Sequence, residues 1–339
     1  MTRLIDPTGA VRLGIIAEPI DEVNFRDFRL IDELDRRVGR LRRYFAFNQF
    51  EFLGAVSDQL VFGCALADLK YAGTGFVYAY DPATRQFVEH SFRQPLARGI
   101  WFDQHPESGV SELRAGQNFI QLRGSEQPRA RRLQVRLTDG FQIDAEFSEE
   151  NPPIEPLRIC TPAGAAGWVY ARKTAGHRVA GTLTTGSRSF DLSAIGALGH
   201  HDWTAGYMRR HTFWNWGCIA GRATDGRVVG MNVSCGVNET SFTENCFWLD
   251  GKLHKLDTVR FEYDRGDLMK PWDMTSYDGR MDLAFHPEGV HREKLNAFIV
   301  ASNFSQLIGR YDGWLQTAAG ERLVVGNLLG YAEWHYAKW

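Results

Sequence analysis

A chain of 339 residues, 44% hydrophobic and 24% charged, has the make-up of a globular protein large enough to bury one core or two. Its formal net charge of −2 excludes the basic excess that a general nucleic-acid binder carries. No run of about eighteen apolar residues occurs, so integral membrane contact through a helix is not expected.

The opening stretch, MTRLIDPTGAVRLG, lacks the apolar centre of a secretory signal. Cysteines stand at 64, 160, 218, 235 and 246, odd in number, widely spaced and without a C-x-x-C pair. That usage fits reduced, buried thiols, and a cytoplasmic location is expected. Cys218, Cys235 and Cys246 fall in apolar runs and read as small core residues.

Residues 1–30 are interrupted by Pro7, Gly9, Gly14 and Pro19 and read as extended chain along a domain edge. Ile31, Leu34, Val38 and Leu41 then recur at three to four residues, which predicts a short amphipathic helix over 31–43. Its arginines, Arg36, Arg37, Arg40, Arg42 and Arg43, read as a solvated face. Beyond it the period becomes two. Strands are predicted at 44–54, 60–69, 75–80 and 87–92. Leu133, Val135 and Leu137 alternate with polar residues up to Asp139-Gly140, and Phe141, Ile143, Ala145 and Phe147 resume the pattern. An Asp-Gly between alternating runs predicts a hairpin with a type I′ turn.

Three prolines at 152, 153 and 156 cannot lie in a sheet interior, and the domain boundary is placed there: 1–150 and 151–339. Strands are predicted again at 167–172, 177–184, 189–192, 213–220, 227–235, 245–249, 253–263, 280–285, 294–302, 313–317 and 323–338. Asp225-Gly226, Asp250-Gly251 and Asp278-Gly279 supply three further hairpin turns. The order of elements in 44–92 returns in 213–261, which suggests a tandem duplication of an antiparallel meander. Many short strands with Gly-rich turns mean an all-β barrel or sandwich.

Titratable and aromatic side chains are densest at 199–217, GHHDWTAGYMRRHTFWNWG, which holds three of ten His and three of ten Trp. Asp202, flanked by His201 and Trp203, is the candidate acid: in a partly desolvated pocket its pKa would rise. The competing reading is an Asp that caps a loop through backbone N–H groups. His200, His201 and His211 with Asp202 would make a metal set, but adjacent His on a strand point to opposite faces, and no metal is expected. Trp214 and Trp216 share one face, with Phe213 and Asn215 on the other. The pair is either a cavity wall or inter-sheet core. Arg209 can pair with Asp202 or a ligand carboxylate, or lie exposed. In the terminal YAEWHYAKW, Tyr331, Glu333 and His335 share a face that suits a polar ligand head or solvent. Asn232 and Asn245, in apolar strands, complete the candidates, since a buried amide must find partners. No G-x-G-x-x-G after a strand, P-loop or G-x-S-x-G elbow occurs, and no cofactor is expected.

At HHDWTAGYMRRHTFWNWGCIAG the chain resembles the AttH-like proteins, a lipocalin-like superfamily that includes bacterial carotenoid hydratases. More closely it resembles a bacterial family catalogued as a domain of unknown function, through DGKLHKL, RFEYD, PWDMTSYDGRMDLAFHP and GYAEWHYAKW. The resemblance spans about residues 40–339. It implies two tandem lipocalin-like antiparallel β-barrel or sandwich domains, with a ligand cavity in or between them. The hydratases' Asp-His-Asn-Trp-Gly run is met outright only at Asp202 and Gly206, with Trp203 and Ala205 at its His and Trp. Its later Tyr-x-Asp falls near Gly230-Met231-Asn232.

The first expectation is therefore binding of an isoprenoid- or acyl-type molecule in a cavity lined by Trp203, Trp214 and Trp216. Asp202, His201 and His211 would orient its polar end. The second is a cofactor-free lyase or isomerase with Asp202 as proton donor and His201 or His211 as base. A third is a structural protein without a ligand.

Overall fold

The computed structural model describes residues 1–236, 242–297 and 300–338. Nearly every apolar run of period two becomes an antiparallel strand, and two sheets of fourteen and nine strands result. The first curls into a nearly closed barrel and the second into a half-barrel. Among the described residues no helix is long and apolar enough to cross a membrane.

Both sheets follow one plan. In the first, a meander of Asn48–Val56, Val61–Asp68, Ala72–Asp81 and Gln86–Pro95 lies beside Leu198–Gly206, which pairs with Asn48–Val56. Gly167–Thr185, Gln142–Ser148, Arg129–Arg136, Asn118–Glu126, Val110–Ala115 and Ile100–Phe102 follow. In the second, His211–Arg222, Val228–Cys235, Cys246–Leu249 and Lys252–Lys255 form the meander. The long strand Arg322–Lys338 takes the place of Leu198–Gly206, followed by Val300–Gln316, Met281–Ala297, Trp272–Ser276 and Val259–Glu262. The chain passes from one sheet to the other at residues 207–210, while residues 151–156 connect two strands of the first sheet.

All four Asp-Gly pairs join neighbouring antiparallel strands. Their geometry differs from expectation at Asp139-Gly140, where only Gly140 has positive φ (91°). Gly140 N–H donates to Leu137 O there, so the glycine forms the bulge of a longer turn. Only Asp250-Gly251 has both residues at positive φ, 48° and 85°, as a type I′ turn needs.

Several predicted elements are corrected; 253–263, for one, divides into Lys252–Lys255 and Val259–Glu262 at opposite ends of the second sheet. The helix occupies only Arg40–Phe45 and buries no side chain. Over 31–37 the Asp32 carboxylate outcompetes it: Oδ1 accepts the N–H of Leu34 and of Arg36, each at 3.0 Å, Asp35 turns to φ 60°, and Ile31 bridges Arg37. The strand expected at 294–302 is instead the end of Met281–Ala297 and the start of Val300–Gln316; residues 298–299 lie outside the described residues. Pro287 with Gly289, and Gly313, sit at register shifts inside 17-residue strands.

Packing between the sheets positions the site. Phe52, Val61, Tyr78, Tyr80 and Leu198 of the first bury against Trp216, Cys218, Ile308, Leu329 and Tyr331 of the second. The Tyr331 hydroxyl reaches across to Phe62 O at 2.9 Å and Ala55 O at 3.2 Å. Tyr331→Phe removes that donor from buried carbonyls and is expected to cost about 1–2 kcal/mol, read as a lower urea midpoint with unchanged slope.

Candidate functional site

Leu198–Gly206 is buried along its whole length because both faces of the sheet are covered. Alternation sends His200, Asp202 and Thr204 toward the second sheet and His201, Trp203 and Ala205 the other way. On the neighbouring strand Lys173 stands in register with Asp202, so the two share a face. From the second sheet Trp214, Trp216, Glu333 and His335 come forward on paired strands, Trp214 opposite His335 and Trp216 opposite Glu333.

Between these faces lies a cavity of about 190 Å³. Phe52, Phe76, Trp214, Trp216 and Phe304 supply its aromatic wall, and Lys173, Asp202, Glu244 and Glu333 a charged floor. Lys173 Nζ donates to Asp202 Oδ2 and to Glu244 Oε1, both at 2.8 Å, and Thr204 Oγ1 donates to Asp202 Oδ1 at 2.8 Å. Burial raises the Asp202 pKa against the pull of Lys173. Burial works the same way on Glu244, but there Lys173 prevails and holds the carboxyl low.

Among the described residues no cation is bonded to Glu333. Gln306 Nε2 donates to its Oε1 at 2.6 Å and Trp214 Nε1 to its Oε2 at 3.1 Å. Burial outweighs both bonds and pushes the acid up to about 7. A proton on Glu333 is therefore taken up and given away near neutral pH, which suits general acid catalysis. The orientation of Gln306 is fixed from the other sheet, because the Tyr78 hydroxyl donates to its Oε1. Nearby, Ser302 Oγ lies 2.9 Å from His335 Nε2, and burial lowers the His335 pKa to about 3, so the ring is neutral.

The whole chain, residues 1–339, matches the model of a domain of unknown function, DUF2804. The chain belongs to the DUF2804 family. No curated protein matches it. Among solved structures this DUF2804 chain is similar to CghA, with 10% identity, a TM-score of 0.56 and coverage of 100% of this chain and 97% of that one. It is similar to kievitone hydratase from Nectria haematococca, with 10% identity, a TM-score of 0.51 and coverage of 86% and 88%. It is also similar to an AttH candidate from Nitrosomonas europaea, with 11% identity, a TM-score of 0.50 and coverage of 85% and 91%. These likenesses show a shared fold.

Of the residues singled out in the DUF2804 sequence, Asp202, Trp214, Trp216, Glu333 and His335 meet in the cavity. Asn232 stands behind it, accepting Trp216 Nε1 at 2.8 Å and donating to Glu244 O at 3.1 Å. The others lie elsewhere. Trp203 packs in the core under the N-terminal segment with Tyr170 and Trp168. His211 is exposed and bonds the Tyr336 hydroxyl at 2.8 Å. Arg209 lines a separate outer groove with Arg42 and Tyr207. Asn245 braces backbone, accepting from Ser234 N–H and donating to Asp257 O. Tyr331 is the inter-sheet clamp described above.

His201 points into the first barrel, with Nε2 2.8 Å from Glu51 Oε1. There an ionic cluster sits beside the apolar core that packs the barrel, with Leu53, Phe62, Leu133, Val135 and Phe147 among it. Arg172 bonds Glu107 at 2.7 Å and Glu149 at 2.6 and 3.0 Å, Arg131 bonds Glu149 at 3.2 Å, and Arg158 bonds Glu107 at 2.5 Å. His201 is held neutral, first by burial and then by Arg131 and Arg172. Sequence reasoning missed Lys173 and Glu244. The signal available for Lys173 was its place just after the apolar run Trp168–Ala171, next to Arg172 and therefore on the opposite face.

Proposed function

We propose that this chain binds an apolar small molecule between its two sheets and transfers a proton to it, as a hydratase- or isomerase-like lyase that uses its own acid. The observation that carries this reading is Glu333: a carboxyl without a bonded cation, both oxygens held by neutral N–H donors, on the floor of an aromatic cavity.

In the proposed step protonated Glu333 gives its proton to one carbon of a ligand double bond, the π electrons forming the new C–H bond. Positive charge develops on the other carbon, facing Trp214, Trp216 and the Asp202–Glu244 carboxylates. The cation then either takes water, whose spare proton returns to the carboxylates, or loses an adjacent proton to Asp202 and leaves an isomer. Support from likeness is limited to the fold: one similar structure is a hydratase, and CghA has been solved with Sch210972. Because Asp202 is bonded to the Lys173 ammonium while Glu333 takes only neutral donors, the proposal moves proton donation from Asp202, where the sequence placed it, to Glu333.

Binding without turnover is the second reading, favoured by the missing hydratase residues around Trp203 and Ala205. One experiment separates the two. A panel of isoprenoid and acyl ligands is titrated against Trp emission, in wild type and Trp214→Ala, and bound ligands are incubated in D2O. Wild type is expected to incorporate deuterium, and Glu333→Gln to do so about 10²-fold more slowly or less. Undiminished exchange in Glu333→Gln removes Glu333 from the chemistry. Binding without exchange leaves a carrier. An unchanged spectrum and melting temperature across the panel rejects both.

A further inference from the structure

Four carboxyl groups line the cavity, from Asp202, Glu244, Glu293 and Glu333, against two cationic groups, Lys173 and Arg93. Arg93 is exposed and Glu293 takes the Ser91 hydroxyl, which places that pair of charges toward the rim. The floor therefore holds three carboxyls and a single ammonium. Lys173 is shared between Asp202 and Glu244. Every other donor at these carboxylates that has been named, Thr204, Gln306 and Trp214, is neutral and brings no charge. Lys255, on the strand beside Cys246–Leu249, donates to the carbonyls of Thr243 and Asn245.

An excess of negative charge among buried aromatic walls is costly unless a proton or a cation offsets it. Both indole N–H groups are committed, Trp214 to Glu333 and Trp216 to Asn232, so the rings offer a ligand only carbon and π surface. Carboxylates beneath and aromatic rings around make the kind of enclosure that selects an organic cation.

We propose that the cavity's ligand is an apolar amine whose ammonium head sits on the floor formed by Asp202, Glu244 and Glu333. The inference rests on the cavity being a ligand site, as argued above. The head offsets the negative charge that Lys173, shared between Asp202 and Glu244, leaves on those two groups, so Glu333 keeps its proton, and the apolar body lies along Phe52, Phe76 and Phe304.

The test compares three probes of one shape, 4-phenylbutylammonium, 4-phenylbutanol and 4-phenylbutanoate, by Trp emission and calorimetry at pH 8. The ammonium is expected to bind about tenfold tighter than the alcohol or better, and the carboxylate more weakly than either. In Glu244→Gln, and separately in Asp202→Asn, the ammonium-to-alcohol ratio is expected to fall about fivefold, far-UV spectra confirming the fold. Equal binding of ammonium and alcohol, or preference for the carboxylate, overturns the charge inference and leaves the cavity reading standing. If none of the three binds the folded wild type, the cavity reading falls with it.

Discussion

Arg172→Met is expected to lower unfolding free energy by about 3–5 kcal/mol, the largest single effect in the molecule. The guanidinium is 1% exposed and spans two carboxylates, Glu107 and Glu149, on the lumen side of the first sheet. Removing it strands two buried anions, because Arg158 and Arg131 each satisfy only part of them. Urea unfolding at pH 7 measures the loss, and a cost below about 1 kcal/mol would mean that water reaches the cluster. The double variant Arg172→Met/Glu149→Leu is expected to regain part of it, since an apolar pair avoids the desolvation that an unpaired carboxylate suffers. The cluster also sets acid behaviour. Burial alone would raise Glu107, but Arg172 and Arg158 bring it to about 2, and Arg172 and Arg131 hold Glu149 well below its ordinary value against its own burial. Depressed carboxyls contribute stability above their unfolded pKa of about 4.5, and it is lost as pH falls toward the folded values.

Glu333→Gln is expected to change the pH dependence of stability in the opposite sense. The Glu333 acid is raised from 4.5 to about 7. Its contribution is therefore fully present below pH 4.5 and lost as pH rises through 7, since the unfolded chain ionises first. Two and a half units correspond to about 3 kcal/mol. The wild-type chain loses that much between pH 4.5 and 8.5 through this group, and the variant does not. Unfolding free energies of both proteins at the two pH values check it. Parallel pH curves would place Glu333 at an ordinary carboxyl pKa and remove the basis for its role as an acid. Glu51, also raised to about 7 by burial, titrates in both proteins and cancels in the comparison.

How much could be read from residues alone depended on what each strand faced. Strands with a wet side and a dry side were legible: Leu133, Val135 and Leu137 alternate with polar neighbours, and all four Asp-Gly turns fall where they were expected. Leu198–Gly206 has no wet side, so polarity could not say which way His201 or Trp203 points, and both were assigned to the wrong compartment. The terminal YAEWHYAKW was read correctly as a face of Tyr331, Glu333 and His335, because period two needs no polarity contrast to be counted. Lys173 escaped notice because a lysine reads as a surface residue by default, and what overrides that default here is a pair of carboxylates 29 and 71 positions away. The spacing of Ile31, Leu34, Val38 and Leu41 misled in the reverse direction, a helical period undone by one aspartate side chain at 32.

The packed interior of the first barrel, apolar core and ion pairs together, has a mechanical corollary. With the lumen occupied, the room for a guest lies where the two halves of the molecule meet, and opposite sides of that room belong to different sheets. A guest there works as mortar, touching both bodies and stabilising their union more than either alone. Halves that melt separately when empty would then melt as one when filled, and occupancy would be felt at the far ends of strands that never touch the guest.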